Sequence, residues 1–178
     1  MRSLTILSGG ALLSVMFAGQ AAAQNPPLSQ HATVSQTIHT TIVSVTWDRP
    51  TARNRKLFGD DGVVLPGAIW TPGANRATIL EFSKDVRFEG QPVPAGKYSL
   101  WALTGPAEWT LILNRRWDAY HSIYPGEADD ALRVKLTPTR GEHMEALGYY
   151  FPVVSGYEAI LRIHWGETVV PARIEVSR

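Results

Sequence analysis

The sequence predicts an all-β fold: an antiparallel β-sandwich of immunoglobulin-like or jelly-roll-like type, with at most one or two short helical turns. Three observations predict it. Apolar and polar residues alternate in many short runs, turn residues separate these runs at short intervals, and no helical apolar period extends beyond about two turns. A closed barrel remains open as an alternative topology, because its strands give the same alternation.

The predicted strands follow one another from the first third of the chain to its end. In the first, Val43, Val45 and Trp47 alternate with Ser44 and Thr46, which is typical of a strand with one buried face. Pro- and Gly-containing turns separate the later candidates. These candidates are 77–83, 97–103, 108–114, 132–136, 147–153, 159–165 and 168–176.

The N-terminus has the layout of a Sec-type secretory signal peptide. Arg2 supplies a positive charge, residues 4–17 form a largely apolar run, and small residues lead to a cleavage site expected after Ala23. Small and polar residues interrupt the run, which disfavours a membrane-spanning helix. We therefore expect a signal peptide at 1–23, a flexible leader at 24–33, a single domain at 34–178, and a periplasmic or secreted location with no membrane span after cleavage.

Length and charge limit the possible partners. Removal of residues 1–23 from the 178-residue chain leaves a length that fits one domain with a substantial core. Of the 17 Lys and Arg, Arg2 is lost with the signal, so the remaining cations balance the 16 Asp and Glu. This balance gives no indication of a nucleic-acid partner. The chain has no Cys, so packing must stabilise the fold without disulfides.

A turn that leads into the predicted strand 97–103 has a structural interpretation. Pro94 and Gly96 precede Tyr98, an arrangement similar to the tyrosine corner of immunoglobulin-like sandwiches. In such a corner the tyrosine hydroxyl bonds back to nearby backbone. We therefore interpret Tyr98 and Gly96 as structural, and Gly73 likewise as the residue of a turn with positive φ.

Several blocks together resemble a family of secreted bacterial proteins catalogued as domain of unknown function 2911. The blocks are WDRP at 47–50, RKLFG at 55–59, W at 70 with GAN at 73–75 and Thr78, AGKYSL at 95–100, and Trp109 with ILN at 112–114. The resemblance covers nearly all of 34–176 and implies an exported sandwich domain, without implying an activity. The chain departs from the family pattern at Thr71, where Arg is usual, and at Asn54 and Asp118, where Gly is usual.

Two blocks supply candidate ligand-binding residues. Arg49 and Arg55 lie in a cation-rich stretch just after a strand, and guanidinium forks grip carboxylates, phosphates or sulfates. Trp70 and Asn75 pair an aromatic ring with an amide that can bind a ligand hydroxyl. For both blocks a purely structural role, as a solvated loop or a turn closed by Asn, stays the alternative.

The longest interruption of the strand pattern, 114–130, is the other candidate surface. It carries Arg116, Trp117 and Tyr120, and aromatic rings among polar groups suit a sugar or another flat-faced ligand. The alternative is that the two rings fold back onto the sandwich as a satellite cluster. Lys97, in the AGKYSL block, completes the set of ligand-binding candidates.

No catalytic or metal-binding motif is present in the sequence. It has no nucleophile elbow, no zinc helix and no phosphate-binding Gly-rich loop, and its five histidines are scattered. We expect no cofactor and no metal. The leading hypothesis is a non-catalytic binding module for a small polar or anionic molecule or an envelope glycan. Alternatives are a carbohydrate-active hydrolase or isomerase that uses carboxylates from separate strands, and an envelope assembly or interaction protein.

Overall fold

Two antiparallel sheets pack face to face in the computed structural model, which describes residues 28–178. The larger sheet has the strand order β1-β2-β4-β7-β8-β9, and β3 pairs with β7; the smaller has the order β10-β11-β5-β6. The prediction of an all-β antiparallel sandwich is confirmed. The strands are β1 (Gln30–Ile38), β2 (Thr41–Arg49), β3 (Ile69–Trp70), β4 (Thr78–Phe82), β5 (Val86–Phe88), β6 (Gln91–Val93), β7 (Gly96–Leu103), β8 (Trp109–Asn114), β9 (Asp130–Leu136), β10 (Thr139–Ser155) and β11 (Glu158–Val176).

The alternation along each strand decides which face is buried. In β2, Val43 and Val45 are fully buried between the sheets, while Ser44 points outward and bonds to Ser35 of β1. Every second residue of a strand points to the same face, so this pattern fixes the register as well as the orientation. The core between the sheets contains inward residues of β4, β7, β8 and β11, among them Leu80, Phe82, Leu100, Leu111, Leu113, Leu161 and Ile174.

The long strand β11 does not run straight. The backbone N–H of Val176 donates to the carbonyl of Tyr157 at 2.8 Å, so the two ends of the strand meet. The reversal falls at Gly166, whose φ of 58° favours glycine. A Cβ at Gly166 would lie 2.7 Å from Leu57 Cδ1, so the loop after β2 packs directly against this bend.

Several boundaries differ from the sequence expectation. The first strand begins at Gln30, so residues 30–33, expected as leader, are paired with β2. A short helical turn was also conceivable from sequence at 129–132 and at 142–147. These two segments lie almost entirely in β9 and β10. Among described residues the single helical turn is a 3-10 turn, Glu127–Asp129. The expected signal peptide, 1–23, lies outside the described residues.

The long loop between β8 and β9 covers the outer face of the larger sheet. Trp101 and Ile112 point outward from β7 and β8, and Ala119 and Tyr124 of the loop pack over them as a small second core. The loop is fixed at its base, where the hydroxyl of Tyr124 donates to Asp130 Oδ2 at 2.6 Å. Arg133 Nε donates to the same oxygen at 2.6 Å.

Candidate functional site

Four aromatic side chains form a cluster at one end of the sandwich. Phe58 contacts Trp70, Trp109 and Trp165 with ring centroids 5.9, 5.1 and 6.1 Å away. Trp70 and Trp165 are stacked, with centroids 6.0 Å apart and 20° between their planes. These side chains come from both sheets and from the loop after β2. The cluster therefore closes this end of the core and gives its surroundings a rigid wall.

The chain after β2 is held in shape by its own backbone. Arg53 and Asn54 have φ of 51° and 57°, and the N–H of Arg55 donates to the carbonyl of Ala52 at 3.1 Å. Positive φ at both central residues defines a type I′ turn, which Asn and Gly adopt at the lowest cost. This explains why Asn54 can occupy a position where the resembling family usually has Gly.

The segment 71–75 is a tight structural turn. Thr71 is fully buried, its hydroxyl donates to the carbonyl of Leu100 at 2.8 Å, and it accepts from the N–H of Thr78 at 3.0 Å. The interpretation of Gly73 as a positive-φ residue is wrong: Asn75 has the positive φ, 58°. Gly73 is required for another reason, because a Cβ there would lie 2.5 Å from the hydroxyl of Thr78.

A cleft of about 360 Å³ lies beside the aromatic cluster, and we call it the arginine cleft. Its basic side chains are Arg53, Arg55 and His121, and its aromatic wall is Trp70 and Trp165. The other lining residues are Leu28, Ser29, Pro50, Thr51, Val63, Gly73 and Ala74. No carboxylate belongs to this lining, so the cleft offers cationic and aromatic surfaces suited to an anion with an apolar face.

Both arginines are oriented by backbone and hydroxyl oxygens of the same segment. Arg55 donates from Nε to the carbonyl of Ala52 at 3.0 Å and from Nη2 to the carbonyl of Thr51 at 2.7 Å. Arg53 donates from Nε to the hydroxyl of Thr51 at 3.0 Å. Within residues 28–178, no carboxylate forms an ion pair with either guanidinium. Neither guanidinium is therefore held in an ion pair.

Glu145 of β10 is hydrogen-bonded to Ala52 and Arg53 of the turn after β2. The N–H of Arg53 donates to Glu145 Oε1 at 2.8 Å, and the N–H of Ala52 donates to the carbonyl of the same residue at 2.8 Å. The hydrogen bond from Arg53, with a second from His143, holds the pKa of the Glu145 carboxyl below its usual value. Glu145 therefore binds the turn through its backbone, and the positive charge of Arg53 also favours the ionised carboxylate without forming an ion pair with it.

The structure brings together only some of the candidate ligand-binding residues. Arg55 and Trp70 line the arginine cleft, whereas Arg49 bonds through Nε to the carbonyl of Leu147 at 3.4 Å and lies outside it. Asn75 donates from Nδ2 to the carbonyl of Ser29 at 3.3 Å, which ties its turn to the segment just before β1. Arg76, the arginine nearest in sequence to Thr71, is exposed and does not line the cleft.

The remaining candidates lie on the outer face of the larger sheet. Lys97 Nζ is 5.3 Å from the ring centroid of Trp117 and 3.7 Å from Glu81 Oε2. Trp117 and Tyr120 are 44% and 57% exposed, so these two rings do not fold into a satellite core. Arg116 is exposed and its backbone N–H bonds to the Asn114 side chain at 3.0 Å.

The residues interpreted as structural have local partners. The hydroxyl of Tyr98 donates to the carbonyl of Pro94 at 2.8 Å, which is the bond back to upstream backbone that a tyrosine corner requires. Gly96 has φ of 142°, in the range that favours glycine. Both residues lie at the start of β7, away from the arginine cleft.

Three cleft residues were missed by the sequence analysis. The alternation of Trp165 with polar neighbours along a strand predicts a core residue. Its ring is buried in the core, and it also lines the cleft. Arg53 and His121 lie within the two loops that were singled out. They line one cleft because the loop 114–130 reaches the start of β4, where Tyr120 bridges Arg76, and periodicity does not reveal this path.

A second cleft, of about 410 Å³, lies on the other side of Phe58 and Trp109. Pro66, Pro106 and Pro138 line it, and Asp60 is its single carboxylate. Neither cleft beside the aromatic cluster thus contains the pair of acids that glycoside hydrolysis needs. Within residues 28–178, no three His, Asp or Glu side chains gather as a metal-binding group, and no helix has the length and apolar character to span a membrane.

The fold and this site define a β-sandwich domain with a cationic, aromatic cleft at one end. Residues 29–174 match the family described as protein of unknown function (DUF2911), and the chain belongs to that family. No curated protein and no solved structure matches the chain.

Proposed function

We propose that this protein is a binding module for a small acidic sugar, which it holds in the arginine cleft. The observation that supports the proposal most directly is the convergence of Arg53, Arg55 and His121 on a cleft lined by the half-buried ring of Trp70, behind which the buried Trp165 is stacked. Guanidinium groups pair with carboxylates through two parallel hydrogen bonds, and an indole ring accepts the apolar face of a sugar ring. An acidic sugar carries both a carboxylate and an apolar ring face, so it can contact the arginines and the indole at the same time.

The free surfaces of the arginines favour this assignment. The hydrogen bonds that the guanidinium groups of Arg53 and Arg55 make within the described chain use Nε of both and Nη2 of Arg55. These bonds orient each guanidinium at little entropic cost to a ligand, because the side chains are already fixed. Nη1 of both residues and Nη2 of Arg53 have no such bond and remain for an anion.

The same proposal includes a location outside the cytoplasm, in the periplasm or the medium. It rests on the layout of residues 1–23, with Arg2, an apolar run and Ala21 to Ala23. An acidic sugar released from envelope or extracellular polysaccharide would be met in that compartment. The charge balance of the remaining chain is compatible with a ligand-specific cation pair rather than a broadly basic surface.

Binding can be measured by isothermal titration calorimetry and Trp fluorescence with galacturonate, glucose 6-phosphate, a sulfated monosaccharide and neutral glucose. We expect galacturonate to bind and glucose not to bind. The phosphate and sulfate sugars distinguish a carboxylate site from a general anion site. Absence of a heat signal and of a fluorescence change with every anionic sugar would contradict the proposal.

Matched arginine variants locate the site. Arg53→Ala removes a charge-assisted contact of about 1.5–3 kcal/mol and should weaken galacturonate binding about tenfold or more. Arg87→Ala is the control, because Arg87 is also exposed but lies on β5, away from the cleft. Equal affinity in both variants and the wild type would show that the sugar binds elsewhere. Melting temperatures of all three confirm that the comparison is made on folded protein.

A further inference from the structure

The loop between β8 and β9 packs Ala119 and Tyr124 on the sheet but leaves Trp117 and Tyr120 exposed. Ala119 packs against the outer face of the sheet, whereas Trp117 is 44% and Tyr120 57% exposed. Aromatic rings gain the most from burial, so a loop that served only to cover the sheet would turn these rings inward. Exposed Trp and Tyr are instead enriched where a surface contacts a partner.

The exposed rings continue directly from the arginine cleft. His121 lines the cleft, and its ring centroid is 4.6 Å from that of Tyr120. The position of Tyr120 is fixed by its backbone bridge to Arg76, and by the hydrogen bond from Ala77 N–H to the Ala119 carbonyl at 3.1 Å. The cleft and the first exposed ring are therefore neighbours on a fixed piece of backbone.

Trp117 extends this surface along the sheet. Lys97, at the start of β7, holds the indole at 5.3 Å, and Leu100 further along β7 is paired with Thr78 at the cleft end of β4. Leu100 lies three residue steps along the strand from Lys97, which is about 10 Å. The order along the outer face is thus cleft, Tyr120, Trp117, with the Lys97–Glu81 ion pair at the far end.

We infer that the ligand is a chain: an acidic oligosaccharide with one unit in the arginine cleft and the following units stacked on Tyr120 and Trp117. This rests on the proposed function, since the cleft fixes the first unit. Rings spaced along an open surface suit successive sugar faces, and Lys97, which is paired with Glu81, holds the ring of Trp117 in place. An open face accommodates ligands of different length, which a closed pocket does not.

The test compares galacturonate with its dimer, trimer and tetramer by isothermal titration calorimetry. In the wild type we expect affinity to increase with length. Trp117→Ala should weaken tetramer binding about fivefold to tenfold while leaving the monomer affinity unchanged. Tyr120→Ala should weaken tetramer binding more than monomer binding, because Tyr120 also contacts His121 of the cleft. Tyr157→Ala is the matched control, because Tyr157 is also exposed but lies in the β10–β11 turn, and it should behave as the wild type.

The outcomes separate this inference from the proposed function. Monomer binding that does not strengthen with length would overturn the extended surface and leave the cleft assignment intact. No binding at any length would overturn both. Sedimentation velocity tests whether a second copy of the chain occupies the aromatic surface instead. A dimer that Trp117→Ala dissociates would show that it does, and would also overturn the inference. Circular dichroism verifies that each variant is folded.

Discussion

The stacked indoles of Trp70 and Trp165 join the two sheets at the cleft end of the sandwich. Trp70 belongs to β3, which pairs with the larger sheet, and Trp165 belongs to β11 of the smaller sheet. Phe58, from the loop after β2, meets both rings edge-on. The wall of the arginine cleft is therefore also the closure of the core, and stability and binding depend on the same side chains.

The first prediction concerns Trp165. Trp165→Ala removes a buried ring that contacts Trp70 and Phe58 and the hydrogen bond from its Nε1 to the Glu145 carbonyl. We expect the free energy of unfolding to fall by about 3–5 kcal/mol, as for other buried large aromatics. Urea denaturation measures this. Trp117→Ala is the control and should lose about 1 kcal/mol or less, because the contact with Lys97 is exposed. Equal losses would contradict the assigned roles.

The second prediction concerns the turn at Asn54. Asn54→Gly should leave the free energy of unfolding unchanged within about 0.5 kcal/mol, because glycine adopts the φ of 57° without strain. Asn54→Val should cost about 1–2 kcal/mol, since a β-branched residue resists that conformation. Thermal and urea unfolding of both variants check this. A stable Asn54→Val protein would mean that the turn changes type at little cost.

The fold class was predictable because its physical cause is local. The alternation of Val43, Val45 and Trp47 with polar residues indicates which face of a strand is buried, and turn residues indicate where each strand ends. The reversal of β11 at Gly166 could not be deduced in the same way. A single glycine fits a bulge, a bend or a turn, and the choice is made by packing against Leu57, a residue distant in sequence.

The cleft was predictable only in part. Arg55 and Trp70 were found because their blocks resemble a family, but Arg49 and Asn75 of the same blocks serve as backbone partners. Sequence gives the residue types of a cation-rich loop without the direction of each side chain. Direction is set here by the type I′ turn at Arg53 and by the oxygens that accept from each Nε, a carbonyl for Arg49 and Arg55 and the Thr51 hydroxyl for Arg53.

The third prediction concerns Arg133, which fixes the loop carrying the exposed rings. Its guanidinium bonds to Asp130 at 2.6 Å, to Glu127 at 3.0 Å and to the hydroxyl of Tyr124 at 3.0 Å. We expect Arg133→Gln to lower the free energy of unfolding by about 1–2 kcal/mol, because Asp130 then loses a charged donor while it remains mostly buried. Limited trypsin digestion should cut faster after Arg115 and Arg116 in the variant.

A matched surface variant shows whether that effect is specific to the loop. Arg140→Gln removes an exposed ion pair with Glu167, whose two side chains are 81% and 53% exposed. Such pairs contribute about 0–1 kcal/mol, so stability and the rate of cleavage in the loop should remain close to the wild type. Faster cleavage in both variants would mean that loss of any arginine loosens the chain, and would contradict the role assigned to Arg133.

The last prediction uses the buried phenol of Tyr149. Its hydroxyl donates to the carbonyl of Pro72 at 2.6 Å, and burial raises the pKa of Tyr149 far above its usual value of about 10. The folded state therefore keeps a proton that the unfolded state releases above about pH 10, so this contribution to stability is complete below that pH and is lost as pH rises further. Burial also raises the pKa of Tyr98 and Tyr124, which adds to the same trend.

A comparison of Tyr149→Phe with the wild type isolates the contribution of this one phenol. At about pH 8 the variant should be less stable by about 1 kcal/mol, because one hydrogen bond is lost and Thr78 still donates to the Pro72 carbonyl at 2.8 Å. At about pH 11 the difference should shrink or reverse, because the phenylalanine has no proton to lose. Urea unfolding at both pH values measures it, with Tyr120→Phe, an exposed ring, expected to follow the wild type. A stability difference between Tyr149→Phe and the wild type that stays constant across this range would show that the phenol ionises as easily in the folded state as in the unfolded one.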